Sequence, residues 1–258
     1  MQDLPLMKVE IADGVALVTM NNPPVNAQSV AFMQQFTTCF DRLSDNDSVR
    51  AVVLTGAGKV FSAGADIKAQ AAAEPGPGAR SERSRMARET YHSVVECTKP
   101  VVGAINGAAL GAGLAVAASC DILVASENAQ LGLPEIDVGL MGGTRHAKRL
   151  FGHSLTRRIA LTGYRVSGPE LYRLGIVEAC VPLEKLLPTA MEIARTIAAK
   201  SPLAAQLSKR TLNAIEFMTL RDGYRYEQDM TRQISTSEDA REAKRAFVEK
   251  RAPVFTGR

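Results

Sequence analysis

Short apolar, β-rich runs recur along the chain at Val15 to Met20, Ala51 to Thr55, Val101 to Ile105, Ile122 to Ala125 and Ile176 to Val181. Between the first two, Phe32, Met33, Phe36, Phe40 and Leu43 follow one another at helical steps, which predicts a helix over Val30 to Leu43. Strands separated by helices imply an α/β core whose strands are largely buried. From Val101 to Ala118 only Asn106 interrupts the apolar character, a stretch long enough for a membrane span. Its four glycines, its reliance on alanine and Asp121 just beyond argue instead for a buried strand, a turn at Asn106 and Gly107, and a buried helix from near Gly111.

The last third changes character. Ser167 and Glu170 have capping-box spacing, with Gly175 ending that short helix. Ser201 before Pro202 opens another helix, and Ser237, with Glu238 and Asp239 behind it and Lys250 and Arg251 at the far end, marks a final one whose charges suit its dipole. The pattern divides the chain into a core over residues 1–182 and a helical region over 183–258, whose apolar Leu203, Leu207, Leu212 and Phe217 need something to pack on, such as a neighbouring subunit. Residues 69–90 carry a Pro-Gly run and then Arg80, Arg83, Arg85 and Arg88. They read as a solvated loop and exposed helix face, or as a mobile lid facing an anionic ligand.

Composition narrows the class without naming a function. The 258 residues are 46% hydrophobic and 22% charged, as in an ordinary globular protein, and the net charge of +4 is too small to argue for nucleic acid. Cys39, Cys97, Cys120 and Cys180 form no CxxC pair, so they read as small buried hydrophobes in a reducing compartment rather than as metal ligands. Met1 to Glu10 has no apolar run of signal-peptide length, and a cytoplasmic location without membrane attachment is expected.

Gly111-Ala112-Gly113 after a strand invites a dinucleotide-binding reading, but the third glycine of that fingerprint falls on Val116. GxxxxGK[ST], HExxH and GxSxG are absent. Two glycine-rich turns remain, Phe61 to Ile67 and Asn106 to Gly113. Small side chains there let a ligand approach the main chain, and amides in such turns, one at a helix start, can stabilise negative charge on an oxygen.

Together with Leu133-Pro134-Glu135, these turns resemble the crotonase (enoyl-CoA hydratase/isomerase) superfamily. The landmarks are Pro23-Pro24-Val25-Asn26-Ala27, AVVLTGAGKVFSAGADIK (51–68), KPVVGAINGAALGAG (99–113), Cys120-Asp121-Ile122, LGLPEIDVGL (131–140), SGPELYRLGIVEACVP and the ending AFVEKRAPVFTGR. The resemblance spans essentially the whole chain. It implies an α/β spiral of repeated ββα units with a C-terminal α-helical trimerisation region, assembled as a homotrimer or a dimer of trimers. It also implies a coenzyme A thioester as substrate, with no separate cofactor or metal. By position, the amides of Ala65 and Ala112 would hold the thioester oxygen and Glu135 would be the catalytic carboxylate. Ala63, Asp66 and Ile67 would border the adenine, and Lys250 would approach the nucleotide end.

The departures bear on the reaction. The second catalytic glutamate of typical hydratases would fall on Ala115, and the turn after Gly139 is shorter than usual, ending in Gly142-Gly143-Thr144-Arg145. Pro134 and Ile136 should desolvate Glu135 partly and raise its pKa, as a proton shuttle needs. An enoyl-CoA hydratase is expected. The alternatives are an enoyl-CoA isomerase, a C–C bond hydrolase or lyase on a ring-derived CoA ester working with one carboxylate, and a non-catalytic RNA-binding relative supported only by the arginines. Asp137 is a candidate substitute acid, or else a surface aspartate, while His92, His146 and His153 have no partner at motif spacing and read as structural.

Overall fold

The computed structural model describes residues 3–72 and 76–258, and of residues 70–72 only the backbone. The chain begins with an antiparallel pair, β1 (Met7–Ala12) and β2 (Val15–Met20), followed by helix α1 (Val30–Ser44). Two-strand units then repeat: β3 (Ala51–Gly56) and β4 (Val60–Ser62) with helices α2 (Ile67–Ala72) and α3 (Ala79–Glu96), then β5 (Val101–Ile105) and β6 (Ala108–Leu110) with α4 (Ala112–Ser119). The third unit is β7 (Ile122–Ser126) and β8 (Gln130–Gly132), closed by a 3-10 turn over Pro134–Val138. Helices α5 (Thr144–Leu150) and α6 (His153–Thr162), strand β9 (Arg165–Ser167), helix α7 (Gly168–Arg173) and strand β10 (Ala179–Val181) precede four helices: α8 (Leu183–Ala198), α9 (Pro202–Ile215), α10 (Leu220–Ser235) and α11 (Glu238–Glu249).

The first strand of each unit joins a six-stranded sheet ordered β1-β2-β3-β5-β7-β10, and the second joins a four-stranded sheet ordered β4-β6-β8-β9. Each unit therefore turns a corner and steps along both sheets at once, which is the expected ββα spiral. β3 and β5 are buried at every position because both faces of their sheet are covered. One face carries the main core, including Phe32, Phe36 and Phe40 of α1, whose rings pack at centroid distances of 5.8 and 4.8 Å. Each such side chain contributes about 1.5–3 kcal/mol through burial. The other face receives Leu186, Ala190, Ala194 and Ala198 of α8, a helix that lies beyond residue 182 yet packs directly on the sheet.

Several expectations need correction. The capping box does not form: Ser167 has no side-chain cap bond, and Glu170 is taken by Arg173 at 2.7 Å. The strand expected from Ile176 begins only at Ala179, because the Ile176 amide donates back to Leu171 O in the turn after α7. The expected caps at Ser201 and Ser237 are present, their hydroxyls accepting from Ala204 N and Ala240 N. Of the 69–90 segment, residues 73–75 lie outside the described residues; the four arginines sit on α3, where Arg80, Arg85 and Arg88 are exposed. No helix among the described residues is long and apolar enough to cross a membrane.

One ion pair, with its ammonium buried and its carboxylate at the surface, fastens the C-terminal helices to the spiral. Lys209 Nζ on α9, 4% exposed, lies 2.9 Å from Asp121 Oδ2 and donates to Val94 O and Lys99 O; the same carboxylate accepts from Val101 N. Removing the ammonium leaves the two carbonyls without this donor and the carboxylate with the Val101 amide but no counter-charge. Lys209→Met is expected to lower the unfolding free energy by about 3 kcal/mol in urea titration, and a loss below about 1 kcal/mol would show the tie to be dispensable.

Candidate active site

The two glycine-rich turns are brought into contact by main-chain hydrogen bonds that begin well upstream. Asn26 Nδ2 donates to Ala57 O, Val60 O and Phe61 O, pinning the 22–28 loop over β4. Gln28 then pairs with Ala65: its amide donates to Gly64 O, and the Asp66 amide donates to Gln28 O. That bridge engages the neighbours of Ala65 and leaves the Ala65 N–H itself without an acceptor among the described residues. Ala65 is exposed, so its amide is open to a ligand.

Ala112 is the first residue of α4, where N–H groups have no intrahelical partner, and its amide also lacks an acceptor among the described residues. Gly64 is what lets the turns meet. Its φ is +93°, and a Cβ placed on it would lie 2.5 Å from Leu110 O and 3.1 Å from Ala112 N. The two orphan amides thus flank one close contact at the positive end of a helix, an arrangement suited to a developing oxyanion.

Glu135 sits in the first turn of the 3-10 segment, held by Leu140 N donating to its carbonyl. Its side chain lies against Gly111, the residue before Ala112: a Cβ on Gly111 would fall 2.5 Å from Oε1. Gly142, in the shortened turn, approaches the same oxygen, its Cβ position 3.8 Å away. Glu135 is half-buried, and Oε2 is buried without a hydrogen-bond partner among the described residues. Burial pushes the carboxyl pKa up, outweighing the backbone hydrogen bond that lowers it.

The other predicted residues are distributed unevenly. Ala63 and Ile67 are exposed along the same turn as Ala65, and Asp66 caps α2 by accepting from Ala69 N at 2.9 Å. Lys250 is elsewhere, the exposed C-cap of α11 with φ of +53°, sharing no hydrogen bond or ion pair with the turn. Ala115 is buried on α4. Asp137 does not stand in for a second acid: it is exposed, and its carboxylate faces Gly163, whose Cβ position is 2.9 Å from Oδ2, while Glu135 points to Gly111. Among the described residues, no group of His, Cys, Asp or Glu has the makings of a metal site.

Sequence reasoning missed Tyr91. It lies on α3, half-buried, with its ring edge-on to His146 at 4.9 Å between centroids. Burial first and the Glu135 charge second push its phenol up to about 12. His146 is pushed down to about 4, mainly by burial, so it is neutral at pH 7. Tyr91 lies one turn before buried Val94, and that helical step was the available signal. The arginine run just upstream marks only the solvent face of the helix.

The family model for enoyl-CoA hydratase/isomerase matches residues 10–258. The chain is 34% identical over 245 residues to a Dictyostelium discoideum protein named probable enoyl-CoA hydratase, mitochondrial, with 93% of this chain and 87% of that one covered. It is 33% identical over 247 residues to a Mycobacterium tuberculosis (7aS)-7a-methyl-1,5-dioxo-2,3,5,6,7,7a-hexahydro-1H-indene-carboxyl-CoA hydrolase, covering 96% and 100%. The crystal structure of an enoyl-CoA hydratase from Bacillus anthracis superposes with a TM-score of 0.92 at 32% identity, covering 98% of this chain and 100% of that one.

Proposed function

Because the chain belongs to the enoyl-CoA hydratase/isomerase family, we propose that it hydrates a 2-enoyl-CoA thioester, with Glu135 as its one acid–base group. The observation that carries this reading is the half-buried carboxylate against Gly111, beside two acceptor-free amides of adjoining turns. The Ala65 and Ala112 amides bind the thioester oxygen. Glu135 takes a proton from water as the water oxygen bonds to the β-carbon, electron density moves onto the held oxygen, and the proton returns to the α-carbon as the enolate collapses. Each oxyanion donor accounts for about 10²–10³ in rate and the positioned carboxylate for about 10²–10⁴.

The coenzyme lies along Ala63, Asp66 and Ile67, with Lys250 meeting the nucleotide end. Exposed Leu212, Phe217, Leu220, Phe247 and Val248 in the C-terminal helical region support a homotrimer or a dimer of trimers. That assembly gives Lys250 a route to a neighbouring subunit's site. Four cysteines that are all free suit the reducing cytoplasm.

Buried Ala115 in place of a second carboxylate favours one other reading, hydrolytic C–C cleavage of a cyclic β-keto CoA ester. Assays of a straight-chain 2-enoyl-CoA, a 3-enoyl-CoA and a cyclic β-keto CoA ester, run side by side, decide between them. Hydration predicts turnover fastest on the first; no turnover of any ester removes both readings. The pH profile is a further check. Glu135 must be ionised to accept a proton and burial raises its pKa, so kcat/KM should fall with decreasing pH around a midpoint above 4.5, the ordinary glutamate value. A limb at or below that value would contradict the desolvated base.

A further inference from the structure

Glu135 opens a loop that closes on it twice. The Leu140 amide donates to the Glu135 carbonyl, and Gly142 then brings its backbone to the carboxyl, with its Cβ position 3.8 Å from Oε1. Leu140 and Met141 lie between these two contacts, so the loop keeps two exposed apolar residues at the rim of the carboxyl.

The two flanks of the carboxyl differ. On one, Gly111 is in contact: a Cβ there would fall 2.5 Å from Oε1 and 3.1 Å from the carboxyl carbon, so no group fits between them. On the other, the Gly142 Cβ position meets Oε1 at ordinary van der Waals distance and nothing else within 4 Å. That flank is open. Neither backbone nor packing requires a glycine at 142. Its φ lies outside the left-handed region, whereas Gly143 beside it has φ of +67° and a Cβ position 2.7 Å from Leu133 Cδ2. Gly143 seats the loop on Leu133, and Gly142 supplies empty space beside the reacting carboxylate.

Glu135 activates water for the β-carbon and returns the proton to the α-carbon, so both carbons lie within reach of its carboxyl. A substituent on the β-carbon then occupies the space flanking that carboxyl, and the contact with Gly111 leaves only the Gly142 side for it. Leu140 and Met141 offer such a group apolar surface. We infer that Gly142 determines specificity: its bare backbone admits a branch at the β-carbon, so the substrate class extends from straight-chain to β-branched apolar 2-enoyl thioesters. The inference rests on the reading of Glu135 as the acid–base group of a CoA thioester site.

Binding tests it without turnover. Calorimetric titration compares butyryl-CoA with 3-methylbutyryl-CoA, saturated thioesters that differ by one methyl on the β-carbon. The parent chain should bind the two within about threefold. Gly142→Val fills the open flank and should weaken 3-methylbutyryl-CoA relative to butyryl-CoA at least about tenfold, the scale of one methyl group excluded from a pocket. Gly142→Ala, whose methyl meets only Oε1, should shift the same ratio at least about threefold, and it decides the matter if the Val variant does not fold. The ratio cancels any general weakening. Smaller shifts in the folded variants, or a parent that already disfavours the branched ligand by more than about threefold, would overturn the inference even if the enzyme hydrates a straight-chain ester. The expected shifts with no hydration of any 2-enoyl-CoA would uphold it and remove the hydration reading alone, while a parent that binds neither ligand would remove both.

Discussion

Glu135→Gln is expected to lower kcat for the preferred thioester by at least about 10²-fold while KM stays within about twofold. The amide has the shape of the carboxylate and fits the same space against Gly111, so the thioester oxygen, held by the main chain of other residues, still finds its donors. What is lost is the ability to accept a proton and return it. Stability supplies an internal control. The folded pKa of Glu135 lies above its unfolded value because burial disfavours the charged form. The stability linked to this group is therefore present when the carboxyl is protonated and is lost as pH rises through the folded pKa. A neutral Gln escapes that loss, so at pH 7 the variant should melt no lower than the parent. Equal activity of the two chains, or inactivity accompanied by unfolding, would remove Glu135 from the proposed role.

The parts of this architecture that sequence makes legible are those with long periodicity or unusual composition. Helix α1 shows in the spacing of Phe32, Phe36 and Phe40, and β3 and β5 in their continuous apolar runs. The second sheet is hidden because β4, β6, β8 and β9 have three residues each, too few to express a period of two. β1 is obscured by Lys8 and Glu10 on a strand whose outer face meets solvent.

In the site, glycines and the Leu-Pro-Glu run mark the backbone, since close approach restricts residue type strongly. Tyr91 and His146 lie 55 positions apart in the chain, and only the fold, with α3 and α5 both packed on α4, makes them neighbours. The direction in which Asp137 points is equally invisible in one dimension. Asp137 lies two positions after Glu135 in a turn with about three residues per revolution, and that rotation of about 240° sends one carboxylate to Gly111 and the other to Gly163.

The same close approach makes Gly64 sensitive to any added side chain. In Gly64→Ala the residue must hold φ of +93°, which costs about 1–3 kcal/mol for any side chain, and its methyl must sit 2.5 Å from a backbone oxygen and 3.1 Å from the Ala112 nitrogen. Neither neighbour is the end of a flexible side chain, so relief requires the two turns to separate. Separation moves the Ala65 and Ala112 amides apart, and the expected loss is about 10²–10³ in kcat, that of an oxyanion donor removed, together with a lower melting temperature. Gly58→Ala isolates the dihedral cost: its φ is +73°, but nothing lies within 4 Å of the added methyl. That variant should lose about 1 kcal/mol and keep its activity. If Gly64→Ala matched Gly58→Ala in turnover as well as in stability, the contact between the turns would not be what aligns the two amides.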